Sequence, residues 1–353
     1  MSRVDPITAR GAGSSAPGCG RIRCTDVGAL SARAGNRQNE GVSIPISGIS
    51  IDLAHGDYRA SIASVGASLR TLTHDGRDLV VPFEADELRP AFRGATLAPW
   101  PNRIVDGRYT FDGVEQQVAL TEPALNNALH GLVAWLDFAV RDRGDDFVQL
   151  AASIQAQQGY PHRVDLEVVF RLDDDGLHSA VTARNSGTSA APFGTGPHPY
   201  LVAGQGRVDD WTLTLPAADV LAVTADRLAP IGLAAVSSHV GGTAREGELD
   251  FRTPRVIGEV FIDHAFTALQ RDAAGTAAVE IVAADGHGVA MRWDAACPWV
   301  QIHTADRPDP ALSRLGLAVE PMTCPPDAFN SGTDLIVLQP GDTTTAGWTI
   351  AAL

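Results

Sequence analysis

The sequence predicts an all-β protein built from antiparallel strands. Short runs of alternating apolar and polar residues recur along the chain, and turn-forming pairs that contain glycine separate them. No window shows the 3.6-residue period of a convincing amphipathic helix, so strands follow strands without helical crossovers. We therefore expect a sandwich or a large barrel, and 353 residues that are 44% hydrophobic suffice for a large core.

The clearest predicted strand is Arg163–Leu172, where five apolar side chains occupy alternate positions and most of the others are charged. Shorter runs of the same kind are Trp211–Leu215, Val279–Val282, Val289–Trp293, Leu315–Val319 and Leu335–Leu338. The pairs that predict turns are Asp75-Gly76, Asp112-Gly113, Asp175-Gly176, Asp285-Gly286 and Pro340-Gly341. Residues Pro308–Gly316 are the one segment for which we predict a short helix.

The first 46 residues differ in composition from the rest. They are rich in Gly, Ser, Ala and Arg and have no apolar period, which predicts a disordered leader over residues 1–46. The apolar alternation begins soon afterwards. We therefore expect one folded domain over residues 47–353.

Charge and composition exclude several classes of function. The net charge of −15 repels nucleic acid and anionic membranes, and no stretch of 18 apolar residues predicts a membrane span. All 27 basic residues are Arg, so neither a Schiff-base lysine nor a P-loop lysine exists. The four cysteines form no CxxC pair, which favours free thiols in a reducing cytoplasm. We expect a cytoplasmic monomer or homodimer that acts on a small molecule.

Four polar clusters interrupt the segments that have the pattern of strands. They are Ala98–Ile104 together with Asn127–Leu132, Gly194–Leu201, Phe261–Phe266 and Val319–Asn330. Polar side chains within buried strands are costly unless they are paired, so these clusters are candidate functional sites.

Two residues in these clusters suit acid–base chemistry. His198 lies between two prolines on a rigid extended segment, which suits a general acid that must be held within reach of its target. Glu320 ends an apolar alternation and precedes Pro321, and partial burial would raise its pKa toward that of a useful base. Taken singly, a histidine packed in a turn and an exposed glutamate at a strand end are the more common situations.

The other polar residues suit the binding of a polyhydroxylated ligand. Arg103 and His130 can donate hydrogen bonds to sugar hydroxyls, and Asp263 can accept two. For each of these residues taken alone, a role in a structural salt bridge or in a turn is at least as common as a role in binding. We assign no role to His162, His264 and His303.

Taken in order, the clusters resemble the aldose 1-epimerase (galactose mutarotase-like) family. The resemblance runs through Gly66-Ala-Ser-Leu69, His74–Val80, Asn102-Arg-Ile104, Asp112-Gly113, Leu129-His-Gly131, Gly159-Tyr-Pro161, Pro197-His-Pro-Tyr200, Asp263, Gln301, Glu320-Pro321 and Pro326–Asn330. Each motif is short, but the ordered set is specific.

The resemblance implies an antiparallel β-supersandwich with a sugar cleft on one face. By position, Glu320 is similar to the base that removes the proton from the C1 hydroxyl, and His198 to the acid that protonates the ring oxygen. The expected substrate-binding residues are Asn102, Arg103, His130, Asp263 and Gln301. Hemiacetal opening moves one proton on and one off, so we expect no cofactor and no metal.

One departure from the galactose-type pattern bears on the substrate. Ala98-Pro99, Pro101, His130-Gly131-Leu132 and Trp135 are more similar to the branch that contains sulfoquinovose mutarotases. The resemblance therefore implies the type of reaction but does not imply galactose as the preferred sugar.

Three other functions stay open at the level of sequence. A non-catalytic sugar-binding protein could use the same fold. A glycoside hydrolase or lyase would need a second carboxylate beside Glu320, for which Asp263 is the candidate. A metal-dependent sugar isomerase would draw on some of the ten histidines.

Overall fold

A computed structural model describes residues 43–241 and 244–353 of the chain. The predicted leader, residues 1–46, lies outside the described residues except for residues 43–46, as do Cys19 and Cys24. The described residues from Ile44 onward form one compact unit, and its first strand begins at Ser50.

Strands dominate the described residues. The first fourteen are β1 (Ser50–His55), β2 (Tyr58–Ala63), β3 (Ser68–His74), β4 (Arg77–Asp78), β5 (Thr96–Leu97), β6 (Arg103–Val105), β7 (Arg108–Phe111), β8 (Val114–Gln117), β9 (Asn127–Leu129), β10 (Ala139–Arg143), β11 (Phe147–Ile154), β12 (Val164–Asp173), β13 (Gly176–Asn185) and β14 (Ala191–Phe193). The others are β15 (Gly196–Pro197), β16 (Tyr200–Leu201), β17 (Thr212–Thr214), β18 (Ala217–Val223), β19 (Pro230–Ala235), β20 (Arg255–Val256), β21 (Asp263–Leu269), β22 (Ala277–Val282), β23 (Gly288–Trp293), β24 (Trp299–His303), β25 (Leu317–Met322), β26 (Ile336–Leu338) and β27 (Thr343–Ala352).

Three antiparallel sheets form the body of the molecule. The largest has nine strands in the order β10-β11-β12-β13-β27-β23-β22-β17-β20. A six-stranded sheet has the order β16-β25-β24-β21-β18-β19, and β1 to β4 form a meander. Short pairs such as β6–β9 and β5–β15 connect these sheets at one end.

The sheets pack face to face as a sandwich around one continuous apolar core. In β12 every second side chain is buried, from Val164 to Leu172, and β1 and β2 contact this strand from the other layer. Both hairpin turns at Asp75-Gly76 and Asp112-Gly113 have positive φ at both residues, as a two-residue antiparallel connection requires. The prediction of an all-β antiparallel fold is confirmed.

The predicted strands are present, with ends that shift by at most three residues. The strand predicted to end at Val319 instead starts at Leu317 and continues through Glu320 and Pro321 to Met322. Glu320 therefore lies inside a buried strand rather than at its end.

The predicted helix over Pro308–Gly316 is wrong. That segment consists of bends and turns, and Arg314 within it has a φ of +56°, which a right-handed helix does not accommodate. One short α-helix, α1 (Ala328–Ser331), lies instead in the described part of the chain, with brief 3₁₀ turns at Pro90–Phe92 and Val208–Asp210. No described helix has the length and apolar character needed to cross a membrane.

Gly94 is a point where the fold tolerates no side chain. Its φ is +65°, and a Cβ there would meet the carbonyl oxygen of Leu69 at 1.9 Å. Its amide donates to the carbonyl of His198 at 2.8 Å, so the glycine also fixes the backbone of a candidate site residue.

We predict that Gly94→Ala lowers the free energy of unfolding by about 2 kcal/mol or more, because steric overlap adds to the cost of a positive φ. Urea unfolding measures the change. Gly113→Ala is the matched control, since Gly113 has φ +75° and open space around it, so it isolates the cost of the backbone conformation alone. Equal losses in the two variants would contradict the role of close packing at Gly94.

Candidate active site

All seven residues predicted as site residues line one cavity of about 360 Å³. These residues are Asn102, Arg103, His130, His198, Asp263, Gln301 and Glu320. Six of them are at most 8% exposed, and Asp263 is partly exposed. Sequence positions that span more than two hundred residues therefore converge on one enclosed cleft.

Three adjacent strands supply one wall of the cleft. Gln301 of β24 lies opposite Glu320 of β25 on one side and opposite Ala265 of β21 on the other. Because every second residue of a strand points to the same face, Asp263, two residues before Ala265, shares that face with Gln301 and Glu320. The amide of Gln301 donates to Oδ1 of Asp263 at 2.6 Å, which ties two of the strands together.

A second wall comes from the short pair β6–β9. Arg103 opens β6, and His130 directly follows β9, with its amide donating to the carbonyl of Asn102 at 2.8 Å. Asn102 and His130 have φ values of +55° and +63°, which asparagine and histidine adopt more readily than most residues. Backbone strain of this kind concentrates at functional sites.

His198 closes the cleft from the segment between β15 and β16. Its amide donates to the carbonyl of Ala95 at 3.0 Å, and its carbonyl accepts from Gly94. Pro197 and Pro199 limit the backbone on both sides. The imidazole therefore extends from a segment whose conformation is fixed, as the sequence predicts.

Arg103 pairs with the carboxylates of Glu122 and Asp263 and forms no ion pair with Glu320. Its Nε donates to Oε2 of Glu122 at 2.8 Å and its Nη2 to Oε1 at 2.9 Å, while Oδ2 of Asp263 lies 3.6 Å from Nη2. Two-point pairing of this kind fixes the guanidinium plane. Burial lowers the pKa of Arg103, but the hydrogen bonds to Glu122 and the charge of Asp263 outweigh it, and the net pKa is raised.

The two carboxyl groups of the cleft have opposite pKa shifts. Burial raises the pKa of Glu320 well above its ordinary value, Asp263 adds to this, and Arg103 opposes it. Burial also acts to raise the pKa of Asp263, but His303, Arg103 and the Gln301 hydrogen bond reverse the shift, so its net pKa is lowered. Asp263 therefore ionises at a lower pH than Glu320.

Burial lowers the pKa of two cleft histidines, His198 and His130, and favours their neutral forms. Burial lowers the pKa of His198 to about 3, with His303 and Arg89 contributing in the same direction. Burial also lowers the pKa of His130 well below its ordinary value, and the neighbouring His198 adds to this. Nε2 of His198 lies 3.5 Å from Oε1 of Glu320, so the carboxyl with the raised pKa and the imidazole with the lowered pKa are in contact.

Three side chains of the cleft also fit the geometry of a metal-binding group. One ligand atom from each of His130, His198 and Glu320 lies within 4.8 Å of the other two, and all three residues are buried. Neutral imidazole and carboxylate are ligands that zinc and iron accept. Among the described residues this cluster is the one that could hold a metal ion.

Sequence reasoning missed several residues of the cleft. His303 lines it, with Nδ1 at 3.8 Å from Oδ1 of Asp263, although we assigned it no role. Its position two residues after Gln301 on a strand is the signal that could have placed it on the same face. Glu122 carries no such signal, because no motif links it to Arg103. Of the other two histidines, His264 is buried behind Asp263, and His162 packs against Phe111 and Tyr160 away from the cleft.

A polar cleft in which a buried carboxyl with a raised pKa contacts a buried imidazole with a lowered pKa is typical of an enzyme that moves protons on a small polar ligand. A family model described as aldose 1-epimerase matches residues 50–351. The chain therefore belongs to the aldose 1-epimerase family, and it is an isomerase.

Individual relatives agree with this assignment. The chain is 37% identical over 296 residues to the protein named YihR of Escherichia coli, a match that covers 84% of this chain and 90% of YihR. It is 31% identical over 193 residues to the aldose 1-epimerase of E. coli, covering 50% of this chain and 53% of that enzyme. The fold is similar to that of a GalM/aldose epimerase homologue from C. elegans, with a TM-score of 0.75, 18% identity, and coverage of 86% of this chain and 98% of that one.

The low pKa of His198 predicts a specific acid sensitivity. A histidine that is neutral when folded must bind a proton on unfolding once the pH falls below about 6.5, so its stability contribution is full above that pH and declines by about 1.4 kcal/mol per pH unit toward pH 3. We expect His198→Asn to reduce the slope of stability against pH between about pH 6 and 4. Urea unfolding at several pH values measures that slope.

The control for this experiment is His287→Asn, because His287 is exposed in the folded protein. An unchanged slope in His198→Asn, or an equal change in His287→Asn, would contradict the burial of a neutral imidazole at His198.

Proposed function

We propose that this protein interconverts the α and β anomers of a hexose-type aldose, with Glu320 as base and His198 as acid. The observation that carries the proposal is the 3.5 Å contact between Oε1 of Glu320 and Nε2 of His198, two buried residues that line the polar cleft. The hydroxyl oxygen and the ring oxygen of a hemiacetal are bonded to the same carbon. Two groups this close can therefore reach both oxygens at once.

Ring opening balances if Glu320 and His198 together carry one proton throughout the reaction. With the cyclic sugar bound, Glu320 is a carboxylate and His198 an imidazolium. Glu320 takes the proton of the C1 hydroxyl, His198 gives its proton to the ring oxygen, the bond from C1 to the ring oxygen breaks, and a carbonyl forms at C1. Rotation about the bond from C1 to C2, followed by the reverse transfers, closes the other anomer.

The electrostatics of the cleft favour one state of this cycle. Burial favours a neutral Glu320 and a neutral His198, which is the state that ring opening produces. The other state, carboxylate beside imidazolium, has the same net charge but contains two buried charges. The attraction between these charges and their hydrogen bonds to the sugar must offset the desolvation cost.

Five other residues are proposed to bind the sugar. Asp263 and Gln301 present a fixed acceptor and amide on the sheet wall, and Arg103 presents a guanidinium from the opposite wall. His130 and Asn102 complete that wall. Arg103→Ala is expected to raise KM more than it lowers kcat, because the residue contacts the sugar rather than the migrating protons.

The identity of the sugar has two candidates. Relatives named aldose 1-epimerase and galactose mutarotase support a neutral hexose. A sulfoquinovose-type substrate is the second candidate, and Arg307 favours it. This exposed residue lines the cleft and forms no ion pair within 4.0 Å among the described residues, so it is available to an anionic substituent.

An exchange measurement separates these candidates from each other and from a non-catalytic sugar-binding protein. Anomer exchange is followed by NMR for glucose, galactose and sulfoquinovose, with and without protein. Acceleration for the neutral hexoses supports the first candidate, and acceleration for sulfoquinovose that Arg307→Ala selectively removes supports the second. Exchange at the uncatalysed rate for all three would contradict both, and loss of exchange with chelator would favour a metal-dependent enzyme.

Glu320→Gln tests the base. The amide keeps the shape and hydrogen bonding of the carboxyl but cannot take a proton, so kcat should fall about 10²–10⁴-fold while sugar binding is largely kept. Polarimetry measures the rate, and equilibrium NMR titration measures binding.

His198→Asn should cost a similar factor. Because the two groups act on one event, the double variant should lose much less than the product of the two single losses. Near-normal exchange in Glu320→Gln would show that the proposed mechanism is wrong.

A further inference from the structure

His198 has an unusual lack of hydrogen bonds for a residue that must be oriented. Its Nδ1 is buried and has no hydrogen-bond partner within the described part of the chain. Its Nε2 faces Glu320 at 3.5 Å, which is longer than a normal hydrogen bond. Histidines in acid–base sites commonly have their second ring nitrogen held by a partner, and here another contact must fix the ring.

Two aromatic rings lie nearly parallel to this imidazole. The ring of Tyr200 has its centroid 5.1 Å away and that of Phe92 6.4 Å away, each at an interplanar angle of 18°. Both residues line the cleft. Offset stacking at these distances is attractive and depends on orientation, so rotation of the imidazole would lose contact with both rings.

A hydrogen bond joins the two rings into one unit. The hydroxyl of Tyr200 donates to the carbonyl of Ala91 at 3.1 Å, and Ala91 directly precedes Phe92. We refer to Phe92, His198, Tyr200 and this hydrogen bond as the aromatic stack. The backbone of β16, which carries Tyr200, is thereby linked to the separate turn that carries Phe92.

The turn at Ala91 and Phe92 is strained. The two residues have φ values of +48° and +57°, a left-handed conformation that costs energy for residues with a side chain. Strain of this kind persists only where surrounding contacts enforce it, and it concentrates at functional sites. Here the contact at Ala91 is the Tyr200 hydroxyl, and the strained conformation places the Phe92 ring against His198.

We propose that Phe92 and Tyr200 are positioning residues that hold the imidazole of His198 toward Glu320 by stacking, and that the Tyr200 hydroxyl maintains this arrangement. The inference rests on the proposed function of His198 as the acid. It gives His198 an orienting partner in place of the hydrogen bond that its Nδ1 lacks. Both rings also keep water from the imidazole.

Apart from Tyr200 itself, whose pKa burial raises, five charged or titratable groups face His198. They are Glu320 of β25, His130 after β9, His303 of β24, Asp263 of β21 and Arg89 before the strained turn, and Phe92→Leu leaves all of them in place. A change in the protonation of His198 caused by substitutions in Phe92 or Tyr200 therefore reports on water access and ring position.

The test uses Phe92→Leu, which keeps an apolar side chain but removes the aromatic ring, and Tyr200→Phe, which removes only the hydroxyl. Each is expected to lower kcat about tenfold with KM changed less than about twofold, because the acid is displaced and the binding residues are not. Phe92→Tyr keeps the ring and should restore most of kcat. Polarimetry supplies the rates.

Ring-nitrogen NMR of His198 is the second readout, and it is independent of activity. In wild type the imidazole should stay neutral to below about pH 5, whereas in Phe92→Leu its titration should move up by about one pH unit as water reaches the ring. A mere loss of stability would not move this titration. Thermal unfolding confirms that each variant is folded.

Tyr160→Phe is the matched control, because the Tyr160 hydroxyl donates to the carbonyl of Pro192 at 2.9 Å away from the cleft. It should leave both readouts as in wild type. Wild-type kcat and titration in Phe92→Leu and Tyr200→Phe would overturn the inference. If His198→Asn itself retained full exchange, the proposed function would fail, while the NMR titration would still decide whether the stack positions the ring.

Discussion

The arrangement of the cleft depends on the burial of one carboxyl group, that of Glu320, away from water. Glu320 is 1% exposed, in a strand whose every residue is buried, and it contacts an imidazole rather than a cation. An ionised carboxylate in that position would be costly, so burial raises the pKa of Glu320 and favours its protonated form. The apolar core of the sandwich supplies the low-dielectric surroundings that cause this shift.

Arg103 is placed so that it does not form an ion pair with Glu320. Arg103 could neutralise Glu320, but its guanidinium is held by Glu122 and lies beside Asp263. Asp263 in turn is kept ionised by Arg103, His303 and Gln301. Two carboxyl groups in one cavity thus hold different protonation states, and the difference comes from their neighbours rather than from their burial alone.

Local patterns predicted the fold class, because strands follow the alternation of apolar and polar residues. Six of the seven predicted site residues lie in the polar clusters, whereas Gln301 and the binding role of Asn102 came from the resemblance to the family. The structure places all seven around one cavity. The extension of β25 through Pro321 was missed because proline normally weakens a strand, and here β16 pairs only with Leu317 and Ala318. Glu122, Phe92 and the strained turn at Ala91 depend on tertiary contacts that no sequence spacing reveals.

The cleft draws its groups from two kinds of structure. Glu320, Gln301 and Asp263 lie on three hydrogen-bonded strands, whereas Phe92, Glu122 and Leu228 come from turns and connecting segments. Sheet positions are tied to their neighbours by register, so they change slowly in evolution, while connecting segments accept insertions and substitutions at little cost. Substitutions in the connecting segments can therefore change the shape of the cleft while Glu320, Gln301 and Asp263 keep their positions on the sheet.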